Sequence, residues 1–152
     1  MKKTTLALLV STASLFVACP GTPQNFIANF VGVAEGATAT FASVQGGSDG
    51  RDLNVCGTGG FTSGTVTVSL EGAPVGVSIT TPTNKQFTVV SCAATGARPS
   101  IVIAPKNFIL SVANNATIGN NQAFKVVVQS SNVTQKLNAN ISITAPQLLG
   151  AK

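Results

Sequence analysis

The groups in this chain able to do chemistry are few: three cysteines (Cys19, Cys56, Cys92), four carboxylates (Glu35, Asp49, Asp52, Glu71) and no histidine. Without an imidazole, neither a Ser-His-Asp nor a Cys-His arrangement can be assembled, and a histidine-based zinc site is excluded. Four acids also give few pairings for general acid and base work. In the run Gly46-Gly47-Ser48-Asp49-Gly50-Arg51-Asp52, two aspartates three positions apart could share a calcium ion. The alternate-position ligands and distal glutamate of an EF-hand are missing, however. A solvated turn, with Arg51 neutralising the acids on either side, accounts for the same residues. No cofactor or metal is implied, and the chain reads as a non-enzyme.

The remaining chemistry belongs to the thiols. Lys2 and Lys3 precede an uncharged, mostly apolar run over 4–18. At about fifteen residues it is too short for a hydrocarbon core that needs roughly twenty, so a signal peptide over 1–18 is expected, not a membrane span. Cleavage after Ala18 would put bulky Phe16 at −3, which suits an ordinary signal peptidase poorly; cleavage after Cys19, giving a soluble secreted protein, would place Val17 and Cys19 at −3 and −1. The run Leu15-Phe16-Val17-Ala18-Cys19 resembles the lipobox of bacterial lipoproteins, in which a small residue precedes a cysteine that is acylated and becomes the mature N-terminus. Ala18 and Cys19 match, and Phe16 stands where that family usually has leucine. The resemblance implies a palmitate-type lipid on Cys19. It also implies attachment to a membrane of the cell envelope, either the outer membrane or the outer face of the cytoplasmic membrane, with the cell surface as a further alternative.

Cysteine parity agrees with this. An odd count in an exported protein leaves one thiol to explain, and lipidated Cys19 explains it. Cys56 and Cys92 then form a pair that an oxidising compartment can hold as a disulfide; two unpaired buried thiols are the alternative.

Beyond the signal, the segment from Cys19 to Lys152 has a length that suits one domain with its own core. It carries seven Lys and Arg against four Asp and Glu, a net charge of +3, and these charges are scattered. Phosphate tracking needs clustered cations, usually with interleaved aromatics, so nucleic acid is not an expected partner. Charged residues make up only 9% of the chain while 44% is hydrophobic, which sets it apart from disordered chains rich in charge.

These groups must be carried by strands. After Cys19, residues 20–24 hold two prolines and read as a tether, followed by a domain over 25–146 and a tail over 147–152. Period-two alternation is plain where Val66, Val68 and Leu70 oppose Thr65, Thr67 and Ser69. It recurs where Leu137, Ala139, Ile141 and Ile143 oppose Asn138, Asn140, Ser142 and Thr144. Further strands are expected over 26–33, 38–44, 75–80, 87–92, 101–103, 108–112 and 124–129, with a long Gly-rich loop over 45–60. Seven to nine short strands with unequal connections predict an all-β, Greek-key β-sandwich. The expected core is Phe30, Phe41, Val66, Val68, Leu70, Val77, Ile79, Phe87, Val89, Ile101, Ile103, Phe108, Leu110, Phe124, Val126, Val128, Leu137, Ile141 and Ile143.

The stretch from Gly59-Gly60-Phe61-Thr62 through Gly72-Ala73-Pro74-Val75-Gly76-Val77 looks like a segment of the immunoglobulin-like repeats of bacterial surface proteins. The strands over 108–113, 124–128 and 137–143 are similar to the last three strands of that repeat. The resemblance implies an Ig-like fold much more than an activity. Those repeats usually lack cysteine and occur in tandem, whereas this chain has one copy. The functional expectation is a lipid-anchored, non-catalytic structural or protein-interaction module whose partners are the membrane and another envelope protein. A small lipoprotein binding a polysaccharide or a hydrophobic molecule is the alternative. Contact through an exposed strand edge is expected, with the C-terminal strand over 137–144 placed near one.

Overall fold

A computed structural model describes residues 25–58, 63–92, 106–131 and 133–147. These contain ten strands and no helix among the described residues: β1 (Asn25–Phe30), β2 (Ala39–Val44), β3 (Ser48–Arg51), β4 (Leu53–Thr58), β5 (Ser63–Glu71), β6 (Val77–Thr81), β7 (Gln86–Ser91), β8 (Phe108–Val112), β9 (Gly119–Gln129) and β10 (Thr134–Thr144). They form a seven-stranded sheet in the order β1-β4-β7-β5-β9-β10-β2 and a three-stranded sheet in the order β3-β8-β6. The all-β architecture in several sheets agrees with the sandwich expected from the alternation.

Each sheet turns its apolar residues inward. Val66 and Val68 on β5, Val126 and Val128 on β9, and Ile141 and Ile143 on β10 meet Phe108, Leu110 and Val112 of β8 in one core. Phe30, Phe41 and Phe108 form an edge-to-face triad with centroids 5.6 to 6.1 Å apart, and Phe124 lies 6.1 Å from Phe41. These separations suit the ring quadrupoles, which favour edge-to-face over stacked contact. Of the expected core, Leu70, Val77, Phe87 and Leu137 are half-buried and pack against its margin. The buried Phe26, Leu53 and Val112 were not anticipated. Ile101 and Ile103, with the strand expected over 101–103, lie outside the described residues, as do the signal, Cys19, the tether over 19–24 and residues 148–152.

Two expectations need correction. The span over 45–60 is not one long loop, because it contains β3 and β4. Strand β3 reads Ser-Asp-Gly-Arg, residues largely poor in strand propensity, and exists because β8 pairs with it from Ser48↔Ser111 to Arg51↔Phe108. Strand β4 does alternate, with Leu53 and Val55 turned to the core, but Cys56 and Gly57 blur the pattern. The strand expected over 26–33 stops at Phe30, where Gly32 adopts a φ of 77° and turns the chain. The C-terminal strand lies near an edge, as expected, second from the end of the larger sheet. β2, from the other end of the chain, pairs with it in parallel from Ala139↔Ala39 to Thr144↔Val44, so that β1 and β2 are the outer strands of the larger sheet among the described residues.

Candidate functional site

The acidic loop of the sequence becomes part of the wall between the two sheets. Asp49 and Arg51 pair in register with Leu110 and Phe108, so they share the inward side of β3 and reach the free side of β2. The Asp49 carboxylate accepts the Ala42 N–H at 2.9 Å through Oδ2 and the Gly50 N–H at 2.7 Å through Oδ1. Arg51 donates to the Thr40 carbonyl from Nε at 2.9 Å and from Nη2, with its guanidinium 5.8 Å from the Phe41 ring centroid. An edge strand offers unpaired N–H and C=O groups, and inward-pointing charges are one way to block them. The run over 46–52 is therefore not a solvated turn, and Arg51 caps a carbonyl in place of neutralising its neighbours. Asp52 is exposed, and its backbone carbonyl accepts the Val31 N–H at 2.9 Å. Among the described residues no group of three or more His, Cys, Asp or Glu could hold a metal ion.

The opposite edge is held differently. Gln135, on β10, sends its carboxamide to β1: Oε1 accepts the Ala28 N–H at 2.8 Å and Nε2 donates to the Phe26 carbonyl. A carboxamide carries the same donor and acceptor as a peptide group, so it occupies this edge as a neighbouring strand would. Beside it lies a cleft of about 650 Å3, lined by Ile27, Ala28, Val33, Glu35, Lys136 and Leu137 among others. Ile27 is 49% exposed and Val31 56%, both large apolar side chains left in solvent around this strand.

Cys56 and Cys92 stand in disulfide geometry, with S–S 2.08 Å and Cα–Cα 4.9 Å. Cys56 pairs across β1 with exposed Ile27, while Phe26, Ala28 and Phe30 face the core. It therefore lies on the side of β4 away from the core. Because the expected loop over 45–60 contains β4, the bridge ties strand to strand, β4 to the end of β7, which pair in parallel through Cys56↔Val90 and Gly57↔Ser91.

Of the remaining acids, Glu71 at the end of β5 meets the Lys136 ammonium at 2.6 Å. That hydrogen bond holds the Glu71 carboxyl below its ordinary pKa; desolvation opposes it, and the charges of Lys136 and Lys125 assist it. Glu35 is exposed in the β1–β2 connection. A second, open concavity of about 440 Å3 is lined by Asn121, Lys125, Asn138 and Asn140 among others, and the Asn140 Oδ1 is buried there without a hydrogen-bond partner. Sequence reasoning missed Gln135 as an edge cap because its partner strand is distant in the chain, and missed Asp49 and Arg51, whose partner β2 just precedes them, because their Gly-rich polar run shows no strand pattern. Comparison with protein-family models, with curated proteins and with solved structures finds no match to this chain.

Proposed function

We propose that this chain is a lipid-anchored protein of the bacterial cell envelope, held through Cys19, whose Ig-like sandwich is a non-catalytic structural or protein-interaction module contacting another envelope protein. The observation that carries the interaction reading is how the fold uses its acids. Asp49 holds a strand edge and Glu71 pairs with Lys136, so the carboxylates with hydrogen-bonding partners serve the scaffold. Exposed around them are Thr and Asn side chains on strand faces and one edge kept by a neutral amide. A strand edge closed only by a neutral amide supports recognition of a polypeptide, because its main-chain N–H and C=O groups can pair with an added strand.

The anchor is supported by Lys2, Lys3, the apolar run and the Ala18-Cys19 pair. Two or more acyl chains make membrane attachment stable where one does not. β1 begins at Asn25, so an extended tether over 20–24 reaches about 20 Å at most. The end of the sandwich that carries Asn25, Thr58 and the cysteine pair would then face the membrane. Detergent phase partitioning tests this: the wild type should enter the detergent phase with an acyl adduct in its intact mass, and Cys19→Ala should not. Retention of the variant together with an unmodified wild-type mass refutes the anchor.

One observation favours a second reading, the small ligand-binding lipoprotein. The concavity that holds the unpartnered Asn140 Oδ1 is within the usual size range of ligand sites and offers amide groups suited to sugar hydroxyls. Calorimetric titration with envelope polysaccharide fragments decides it: saturable heat lost in Asn140→Ala supports ligand binding, and no heat removes it.

A further inference from the structure

We infer that the outer edge of β1, capped among the described residues by Gln135 of β10, is a docking site for an extended segment of a partner polypeptide, and that the Gln135 carboxamide is a placeholder which the incoming strand displaces. The inference rests on the protein-interaction reading above and names the surface it uses.

The two outer strands of the larger sheet are closed by caps of unequal strength. At β2, a carboxylate takes the Ala42 N–H and a guanidinium takes the Thr40 carbonyl. Hydrogen bonds to charged groups contribute about 1.5–3 kcal/mol each against roughly 1 for neutral pairs, so displacing them is disfavoured. At β1, both bonds belong to one neutral amide, on Ala28 N–H and Phe26 O. A peptide strand entering there replaces each of them with a bond of the same kind, and no charge has to be stripped of its partner. Strand β6, at one edge of the smaller sheet, is five residues long, has a register shift between Ile79 and Thr81 and is followed by Pro82. Short length, bulges and proline are features that deter pairing.

The surroundings of β1 fit the same occupant. The cleft beside it is about 650 Å3, with Ala28, Val33 and Leu137 as apolar wall and Glu35 and Lys136 as charged lining. A strand carries side chains on alternate faces, so one set can settle on Val33 and Leu137 while the other stays in water. Most directly, the group already seated on the edge is an amide. The chemistry that β1 accepts at Ala28 and Phe26 is that of a peptide bond.

The test uses the full chain, 15N-labelled, in detergent micelles, titrated with the blocked peptide Thr-Val-Thr-Val-Thr-Val followed by amide chemical shifts. Saturable shifts concentrated in β1 and the first half of β10, with movement of the Gln135 side-chain NH2 signal, are expected. Gln135→Ala should tighten binding at least threefold because the placeholder is gone. Gln135→Met, which keeps the stem and removes the amide, should do the same and guards against a folding defect in the first variant. N-methylation of alternate peptide nitrogens should abolish binding. No shifts at millimolar peptide overturn the inference, as do shifts centred on β2 or β6, equal binding of the N-methylated peptide, or unchanged affinity in both Gln135 variants. None of these outcomes depends on whether Cys19 is acylated, so failure here is separable from failure of the anchor.

Discussion

Removing the bridge between Cys56 and Cys92 by the double substitution Cys56→Ala/Cys92→Ala should loosen one identifiable part of the molecule. The two residues are 36 apart in sequence. In the chain-entropy estimate, closing a loop of that length restricts the unfolded state by about 4 kcal/mol at 25 °C. With a urea dependence of about 2 kcal/mol/M for a domain of this size, the unfolding midpoint should fall by about 2 M. The structure adds where the loss is felt first. Strand β4 joins β7 through two registered pairs, Cys56↔Val90 and Gly57↔Ser91, and β1 is joined in register to the larger sheet through β4. Without the bridge, the β1–β4 pair is held to the rest by that short ladder, by the carboxamides of Gln135 on β1 and Asn107 on Leu53, and by the inward contacts of Phe26, Phe30 and Leu53. Hydrogen exchange should therefore show amides of β1 and β4 opening at lower free energy than those of β5, β9 and β10. A midpoint shift below about 0.5 M urea would refute the magnitude. Wild-type protection of β1 and β4 in a destabilised variant would refute the placement.

Three further outcomes follow from particular contacts. Asp49→Ala uncovers the Ala42 N–H at the β2 edge; it should cost about 1.5–3 kcal/mol in urea unfolding and produce concentration-dependent self-association in light scattering, which Asp49→Asn should partly suppress. The Glu71 carboxyl should titrate below its ordinary value in 13C-detected NMR and return towards it in Lys136→Met. Because its folded pKa is lowered, any stability it contributes is present above the unfolded pKa and is lost as pH falls through the folded one. Gly76→Ala should destabilise by at least about 1 kcal/mol in thermal or urea unfolding, since Gly76 has a φ of 85° and its added Cβ would lie 2.8 Å from the Cα and Cβ of Ala116.

Much of the sandwich was legible because local alternation reports which face of a strand is buried. Val66, Val68, Ile141 and Ile143 could be assigned inward from their neighbours alone, and Phe108–Val112 was bounded correctly. Strand β3 was not legible: its four residues, Ser48 to Arg51, carry no apolar pattern, and they are extended because β8 lies alongside. The same holds for β4, whose alternation is interrupted by Cys56 and Gly57 on a strand that must also carry a bridge.

What the amino-acid sequence determined by itself is the set of properties that need no partner. These are the lack of an imidazole, and the period of two that makes the domain all-β; the lysines and apolar run ahead of Cys19 carry the expectation of export from the same local pattern. Only the tertiary structure decided which edges face solvent and what closes them. β2 and β10 pair in parallel across about a hundred positions of chain, and Gln135 meets Phe26 and Ala28 from a similar distance. Pairing between strands depends on backbone amides that every residue type shares, so residue identity carries little information about which strand lies next to which. A glutamine in a polar, alternating strand reads as surface until the fold brings the β1 edge within reach of its amide.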